Sequence, residues 1–274
     1  MMPVASVTLT PSMTAPSQPD SPIASPDAAP TGAAAVAGSA SADLVQDVAD
    51  ANRILFHQGV VDAFGHVSAR HDKDPTRFLL ARNIAPALVT AADILEFALD
   101  GEPACPDARR VYLERFIHAA IYRARPDVHA VVHSHSPAVV PFSVVRSAGL
   151  KPVSHMCGFL GAGPPIFEIR DCVGDESDLL IRDNALGDAL ARTLGDGNVV
   201  LMRGHGATAV GPSLKIAVYR AVYTEVNARL LAAALRLGPV EYLSPGEAHM
   251  TMTVNEGQVE RPWAMWKAAA RRAL

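Results

Sequence analysis

Apolar positions recur along this chain with two different periods, and the switches between them mark out its elements. Leu44, Val45, Val48, Ala51 and Leu55 fall at helical spacing behind Ser41-Ala42-Asp43, whose serine is placed to cap the helix. Gly65 to Arg70 and Phe78 to Leu80 read as two short strands joined across a polar turn containing Asp72, Asp74 and Pro75, a hairpin. Leu88 to Leu99 reads as a connection and then a strand ending at the turn dipeptide Asp100-Gly101. A helix is predicted from Arg110 to Arg125, where Pro126 stops it. Val128 to His135 is β-branched and apolar, a strand, and Pro137 to Val145 is a helix opening at Ser136-Pro137. Then come a strand at Pro165 to Ile169, a helix at Asn184 to Leu194, a strand at Val199 to Met202 and a long helix at Leu214 to Leu237. The segment after Leu237, with Trp263 and Trp266, carries no assignment.

Helices and strands alternate without an internal repeat or a linker, so residues 41–274 are expected to form one mixed α/β domain. Residues 1–40 are dominated by Ala, Pro, Ser and Thr, lack aromatic residues and sustain neither period. Such a segment cannot bury enough apolar area to offset its chain entropy and is expected to be a disordered tail.

Composition narrows the function classes. A hydrophobic fraction of 49% over 274 residues is ample for a core, and a net charge of -4, from 24 basic and 28 acidic residues intermixed along the chain, leaves no basic face for nucleic acid or an anionic membrane. No run of about 18 apolar residues spans a bilayer, and the start of the chain lacks the features of a signal peptide. Cys105, Cys157 and Cys172 are odd in number and form no C-x-x-C pair, which points to a reducing cytoplasm.

Candidate chemistry concentrates on histidines. In Val131-Val132-His133-Ser134-His135 the two imidazoles are two residues apart in a predicted strand and so share a face, able to offer two nitrogen ligands to one ion. Alone, the pair also reads as two solvent-facing histidines at a strand end. Gly204-His205-Gly206 follows the strand Val199 to Met202 and offers a third nitrogen, or else is a simple loop. Glu114 shares a helical stripe with Ile117, His118 and Ile121, so it is an acid/base candidate whose burial would raise its pKa. A structural pairing with Arg110 or His118 is the alternative. His66 and Ser68 alternate with Arg70 on one strand face and are candidates for holding an anionic substrate group, with Arg82 and His155 as weaker ones. His57, His71, His129 and His249 are expected to be structural or exposed.

Four ordered motifs, Gly65-His66-Val67-Ser68-Ala69-Arg70, the Glu114 to Asp127 segment, Ala130 to Ser136 and Arg203-Gly204-His205-Gly206, resemble the class II aldolase/adducin family over roughly Leu44 to Leu237. The resemblance implies a three-layer α/β/α sandwich around a mostly antiparallel central sheet, and a homotetramer with active sites near subunit interfaces. It also implies that the residues matching His133, His135 and His205 hold a divalent metal ion and that the one matching Glu114 is the acid/base. Zinc, manganese, cobalt and iron all suit such ligands.

Departures from the family's sugar-phosphate aldolases fall on the substrate. Those enzymes carry asparagine where this chain has His66, and two serines where it has Tyr112 and Leu113, so hydroxyl groups of their phosphate pocket are missing here. Arg82 to Thr90, Tyr112 to His118 and His155-Met156-Cys157-Gly158-Phe159-Leu160-Gly161 instead look like a branch of decarboxylases of hydroxylated aromatic or pyridine dicarboxylates. The expectation is a metal-dependent carbon–carbon lyase acting on a small molecule. An aldolase of a non-phosphorylated substrate, an Fe(II) oxygenase of the aminocoumarin-pathway type and a non-catalytic adducin-like protein are the alternatives.

Overall fold

Serine and aspartate caps set the starts of the long helices in the computed structural model, which describes residues 38–272. Ser41 accepts from Leu44 N–H at the head of α1 (Ala42–His57). Asp183 accepts from Leu186 N–H at the head of α5 (Asn184–Leu194), and Ser213 from Ile216 N–H at that of α6 (Leu214–Leu237). The expected tail lies outside the described residues except for 38–40. There Ala40 N–H donates to Glu96 at 3.4 Å and the Ser39 carbonyl accepts from Lys73 at 2.6 Å.

Seven strands form one sheet: β1 (His66–Arg70), β2 (Arg77–Ala81), β3 (Ile94–Ala98), β4 (Ala130–Ser134), β5 (Ile166–Phe167), β6 (Val199–Met202) and β7 (Gly206–Gly211). Their order is β3-β2-β1-β4-β7-β6-β5, and every pairing is antiparallel except β5 with β6. Because side chains alternate across a strand, β1 and β4 send Val67, Ala69, Ala130 and Val132 into one apolar cluster. Residues of α1, α6 and α8 (Glu260–Arg272) complete that cluster. Phe78, Leu80, Val131 and Val200 point the other way, into a second cluster with α2 (Arg115–Ala124) and α5. Helices thus cover both faces of a mostly antiparallel sheet, the three-layer arrangement expected.

Differences from the sequence reading are local and have physical causes. Helix α2 begins at Arg115 instead of Arg110, because the Arg110 carbonyl accepts from Asn83 N–H at 2.8 Å and the Tyr112 hydroxyl donates to the Ile84 carbonyl, holding the lead-in non-helical. Leu88 sits in a 3-10 turn and the strand starts only at Ile94. Helix α3 (Val140–Val144) is shorter than expected, α4 (Arg170–Val173) is one turn, and His155 opens a 3-10 segment. Strand β7 was not anticipated, although Ala207-Thr208-Ala209-Val210 alternates, because Gly206 reads as loop. The unassigned C-terminal segment forms α7 (Pro245–Glu256) and α8, the former opened by a capping box of Ser244 and Glu247 that the sequence displays. Among the described residues no helix is long and apolar enough to cross a membrane.

Candidate metal centre and its cleft

Strand register brings the histidines together. His66 on β1 and Thr208 on β7 both lie directly opposite His133 on β4, so a polar row crosses three strands on the face covered by α2. His135 stands just past the end of β4, and His205 occupies the tight β6–β7 turn, where Gly204 adopts φ +66° and His205 N–H donates to the Met202 carbonyl at 3.0 Å. Gly206 lets the turn close on β4: a Cβ there would lie 2.0 Å from the Ser134 carbonyl oxygen. Ring centroids of His133, His135 and His205 are 4.7 to 5.1 Å apart.

Glu114 enters from the N-cap of α2 and does not cap its helix. Its Oε1 accepts from Ile181 N–H at 3.0 Å, and its Oε2 lies 3.5 Å from Nε2 of both His133 and His205. One short loop anchors two members of the set. Beside Ile181, the Leu179 carbonyl lies 2.9 Å from His205 Nδ1, and Leu179 holds φ +67°, the single non-glycine positive φ among the described residues. No feature of the sequence around Leu179 signals this role.

The donor set fits a divalent ion. One ligand atom from each of Glu114, His133, His135 and His205 lies within 4.8 Å of the others. His133 Nε2 is buried with no hydrogen-bond partner, which a protein rarely tolerates without a ligand for it. A carbonyl only accepts, so His205 Nδ1 carries its proton and Nε2 keeps the lone pair that ligation needs; that Nε2 faces His135 Nε2 at 2.9 Å. Three imidazoles and a carboxylate are ligands typical of zinc, manganese or iron.

Electrostatics agree with ligation. Burial holds His133 below its ordinary pKa despite the neighbouring Glu114 carboxylate, and burial with repulsion from His133 and His205 pushes His135 down to about 4. Neutral imidazole is the ligating form. For Glu114, burial alone would raise the pKa, as the sequence suggested. Instead, His133 and His205 beside it hold the carboxyl well below the usual range, so it is ionised.

A cleft of about 460 Å³ opens beside this cluster, lined by Glu114 and His135 together with Phe64, His66, Tyr112, Leu113 and other residues. Phe64 stacks on His135 at 6.2 Å, and Tyr112 lies 4.7 Å from the His66 ring. Of the four residues expected to bind substrate, only His66 lines this cleft. Ser68 is fully buried, bonded to His118 at 2.6 Å and Tyr122 at 2.8 Å. Arg70, expected on the same binding face, spends its guanidinium on four backbone carbonyls. Arg82 is drawn away to Asp93 at 2.7 Å, and its neighbour Asn83 takes the cleft wall. His155 is exposed, and its carbonyl accepts from Asn255 at 2.8 Å beneath α7. In the sequence His118 and Tyr122 read as helix positions, with His118 also a possible structural partner of Glu114, and Thr208 falls in no predicted element, because their roles depend on what lies across the sheet.

A family model, the class II aldolase and adducin N-terminal domain, matches residues 46–232. The chain belongs to this family. It is 38% identical over 236 residues to the decarboxylase tropJ of Talaromyces stipitatus, covering 78% of this chain and 88% of that protein. It is 32% identical over 198 residues to a 3,4-dihydroxyphthalate decarboxylase of Arthrobacter keyseri, covering 67% of this chain and 75% of the relative. Among solved structures, an L-fuculose 1-phosphate aldolase of Glaciozyma antarctica superposes with a TM-score of 0.69 at 21% identity, covering 84% of this chain and 89% of the other, a likeness of fold. With decarboxylases among its relatives in sequence, this member of the class II aldolase family is a lyase.

Proposed function

We propose that the protein is a divalent-metal-dependent decarboxylase of a hydroxylated aromatic or heteroaromatic carboxylate. The observation that carries the reading is the convergence of three imidazoles and an ionised Glu114 at the end of a cleft walled by Phe64, Tyr112 and Leu113. Flat apolar walls suit a ring. Tyr112 and Leu113 stand where sugar-phosphate aldolases place small hydroxyl donors, and among the described residues lining the cleft none is Lys or Arg, which disfavours a phosphorylated substrate. The two decarboxylase relatives support the same reaction class.

His133, His135 and His205, with Glu114 beside them, would hold the ion. When bound, it supplies Lewis-acid stabilisation of negative charge building on the substrate's oxygens. Glu114, ionised at rest, takes the proton of the ring hydroxyl on Oε2. As the bond to the carboxyl group breaks and carbon dioxide leaves, the electron pair remains with the ring carbon, and Glu114 returns that proton to it. His66, which lines the cleft beside His133, donates a hydrogen bond to one of the substrate's oxygens.

Assembly as a homotetramer and a cytoplasmic location belong to the same proposal. Exposed Val144, Val145, Leu230 and Leu235 support association, and the free thiols of Cys105, Cys157 and Cys172 suit a reducing compartment. The deciding experiment supplies hydroxyphthalates and pyridine dicarboxylates to protein reconstituted with zinc, manganese, cobalt or iron. Metal-dependent release of carbon dioxide is expected. Turnover that survives complete metal removal, a requirement for dioxygen, or aldol cleavage in its place would refute the reading.

A further inference from the structure

Behind the cleft, four buried side chains make one unbroken hydrogen-bonded line. His66 Nδ1 meets His118 Nε2 at 2.7 Å, His118 Nδ1 meets Ser68 Oγ at 2.6 Å, and Ser68 Oγ meets the Tyr122 hydroxyl at 2.8 Å. Burial keeps the His118 ring neutral, pushing its pKa down to about 3, so one of its two nitrogens carries a proton and the other is bare. In each link one atom donates and the other accepts, and the order of protons along the line is a matter of counting.

Two directions exist. If every proton points toward His66, Tyr122 donates to Ser68, Ser68 to His118 Nδ1, and His118 Nε2–H to His66 Nδ1. All three links are made, and the proton of His66 sits on Nε2, which has no hydrogen-bond partner among the described residues and belongs to a residue that lines the cleft. If every proton points away, the Tyr122 hydroxyl must donate past Ser68. Among the described residues it has no other acceptor, and if Ser68 instead accepted from both sides its own proton would have none, so in either case a buried donor would go unmade. The first direction is favoured.

We propose that His118, Ser68 and Tyr122 are positioning residues that lock His66 as its Nε2–H tautomer, a permanent hydrogen-bond donor aimed at an anionic oxygen of the substrate. The same lock explains why His66 stays out of the ligand cluster although its ring is 5.1 Å from that of His133. A protonated Nε2 has no lone pair for an ion. The identity of the oxygen it meets rests on the decarboxylase reading; the tautomer does not.

The test reads the tautomer directly. In zinc-loaded protein labelled with nitrogen-15 histidine, the side-chain nitrogen shifts of His66 and His118 should both report a proton on Nε2 and none on Nδ1. A proton on His66 Nδ1 would overturn the lock. A pair of variants then asks whether the line matters for turnover. Gln at 118 offers an acceptor to Ser68 and a donor to His66 in the same order, whereas Leu offers neither. His118→Gln should keep kcat within a few-fold of the parent, and His118→Leu should lower it by about a hundredfold, the scale for loss of one oriented donor, with zinc content unchanged in both. Equal losses in the two variants, or full activity in His118→Leu, would overturn the proposal. Should neither variant fold, the nitrogen shifts of the unaltered protein decide. A protein with the expected tautomers that releases no carbon dioxide from any compound in the panel keeps the lock and loses the substrate.

Discussion

Strands β1 and β4 present two faces built on the same register, and the faces have opposite characters. Toward α1 and α6 they offer Val67, Ala69, Ala130 and Val132, an apolar surface that ends at Ser134. Toward α2 they offer His66, Ser68 and His133, all buried, in a row continued by Thr208 and closed by His118, Tyr122 and Glu114. Apolar burial is nondirectional and tolerates exchange of one aliphatic residue for another. The polar row tolerates little, because Ser68, His118 and Tyr122 are tied to one another by hydrogen bonds and the free nitrogens of His66 and His133 are aimed at the site. On β1 and β4, apolar packing faces one side of the sheet and chemistry the other, one residue apart in the chain.

Substitutions at adjacent positions break this comparison most sharply. His133→Ala or His205→Ala should release the metal and lower turnover by roughly a thousandfold or more, read by metal analysis of purified protein alongside carbon dioxide assays. Loss of activity with full metal content would remove these histidines from the centre. Glu114→Gln should keep the metal and lower turnover by about 10²- to 10⁴-fold, the span for a general acid–base. Retained activity there would leave the carboxylate a structural role only.

On the opposite face, Val132→Ala should cost about 1–3 kcal/mol in denaturant unfolding while each folded molecule keeps its metal and its turnover. If it lost metal as readily as His133→Ala, the division between the two faces would be false. Acid offers a further probe in metal-stripped protein. The folded pKa of His118 is lowered to about 3, so between the unfolded value near 6.5 and that value the unfolded chain binds more protons. Stability is therefore present above the unfolded pKa and falls as pH drops through this window. His118→Gln should flatten that part of a melting-temperature profile, and an unchanged profile would mean His118 is accessible to protons in the fold. The smallest effect is expected at Arg82, whose half-exposed ion pair with Asp93 lies off the cleft wall: Arg82→Ala should cost less than about 1 kcal/mol and leave KM and kcat nearly unchanged. A large rise in KM would return Arg82 to the substrate site.

The ends of the elements show how far local pattern reaches. Helices α5 and α6 and strand β6 begin and end where caps and hydrophobic period place them, since Asp183 and Ser213 act on amides three residues away. The start of α2 is different. Arg110 to Leu113 has helical potential, but a carbonyl bonded to Asn83 and a hydroxyl bonded to Ile84 hold it open, and both partners are distant in sequence. Strand β7 has the alternation of a strand and was hidden by Gly206, a residue needed for close approach to Ser134.

What the sequence determined by itself is the inventory of chemistry. It placed two histidines two residues apart at a strand end, a third between glycines and a carboxylate on a helical stripe, because these patterns are short and their geometry is dictated by the backbone. Tertiary structure decided what each group does there. It set Glu114 against two imidazoles, so that a carboxyl expected to be raised in pKa is ionised, and it sank Ser68 behind His118 while Arg82 turned to Asp93. Charge state and direction of a side chain depend on neighbours brought in from across the sheet, and no spacing along one strand records them.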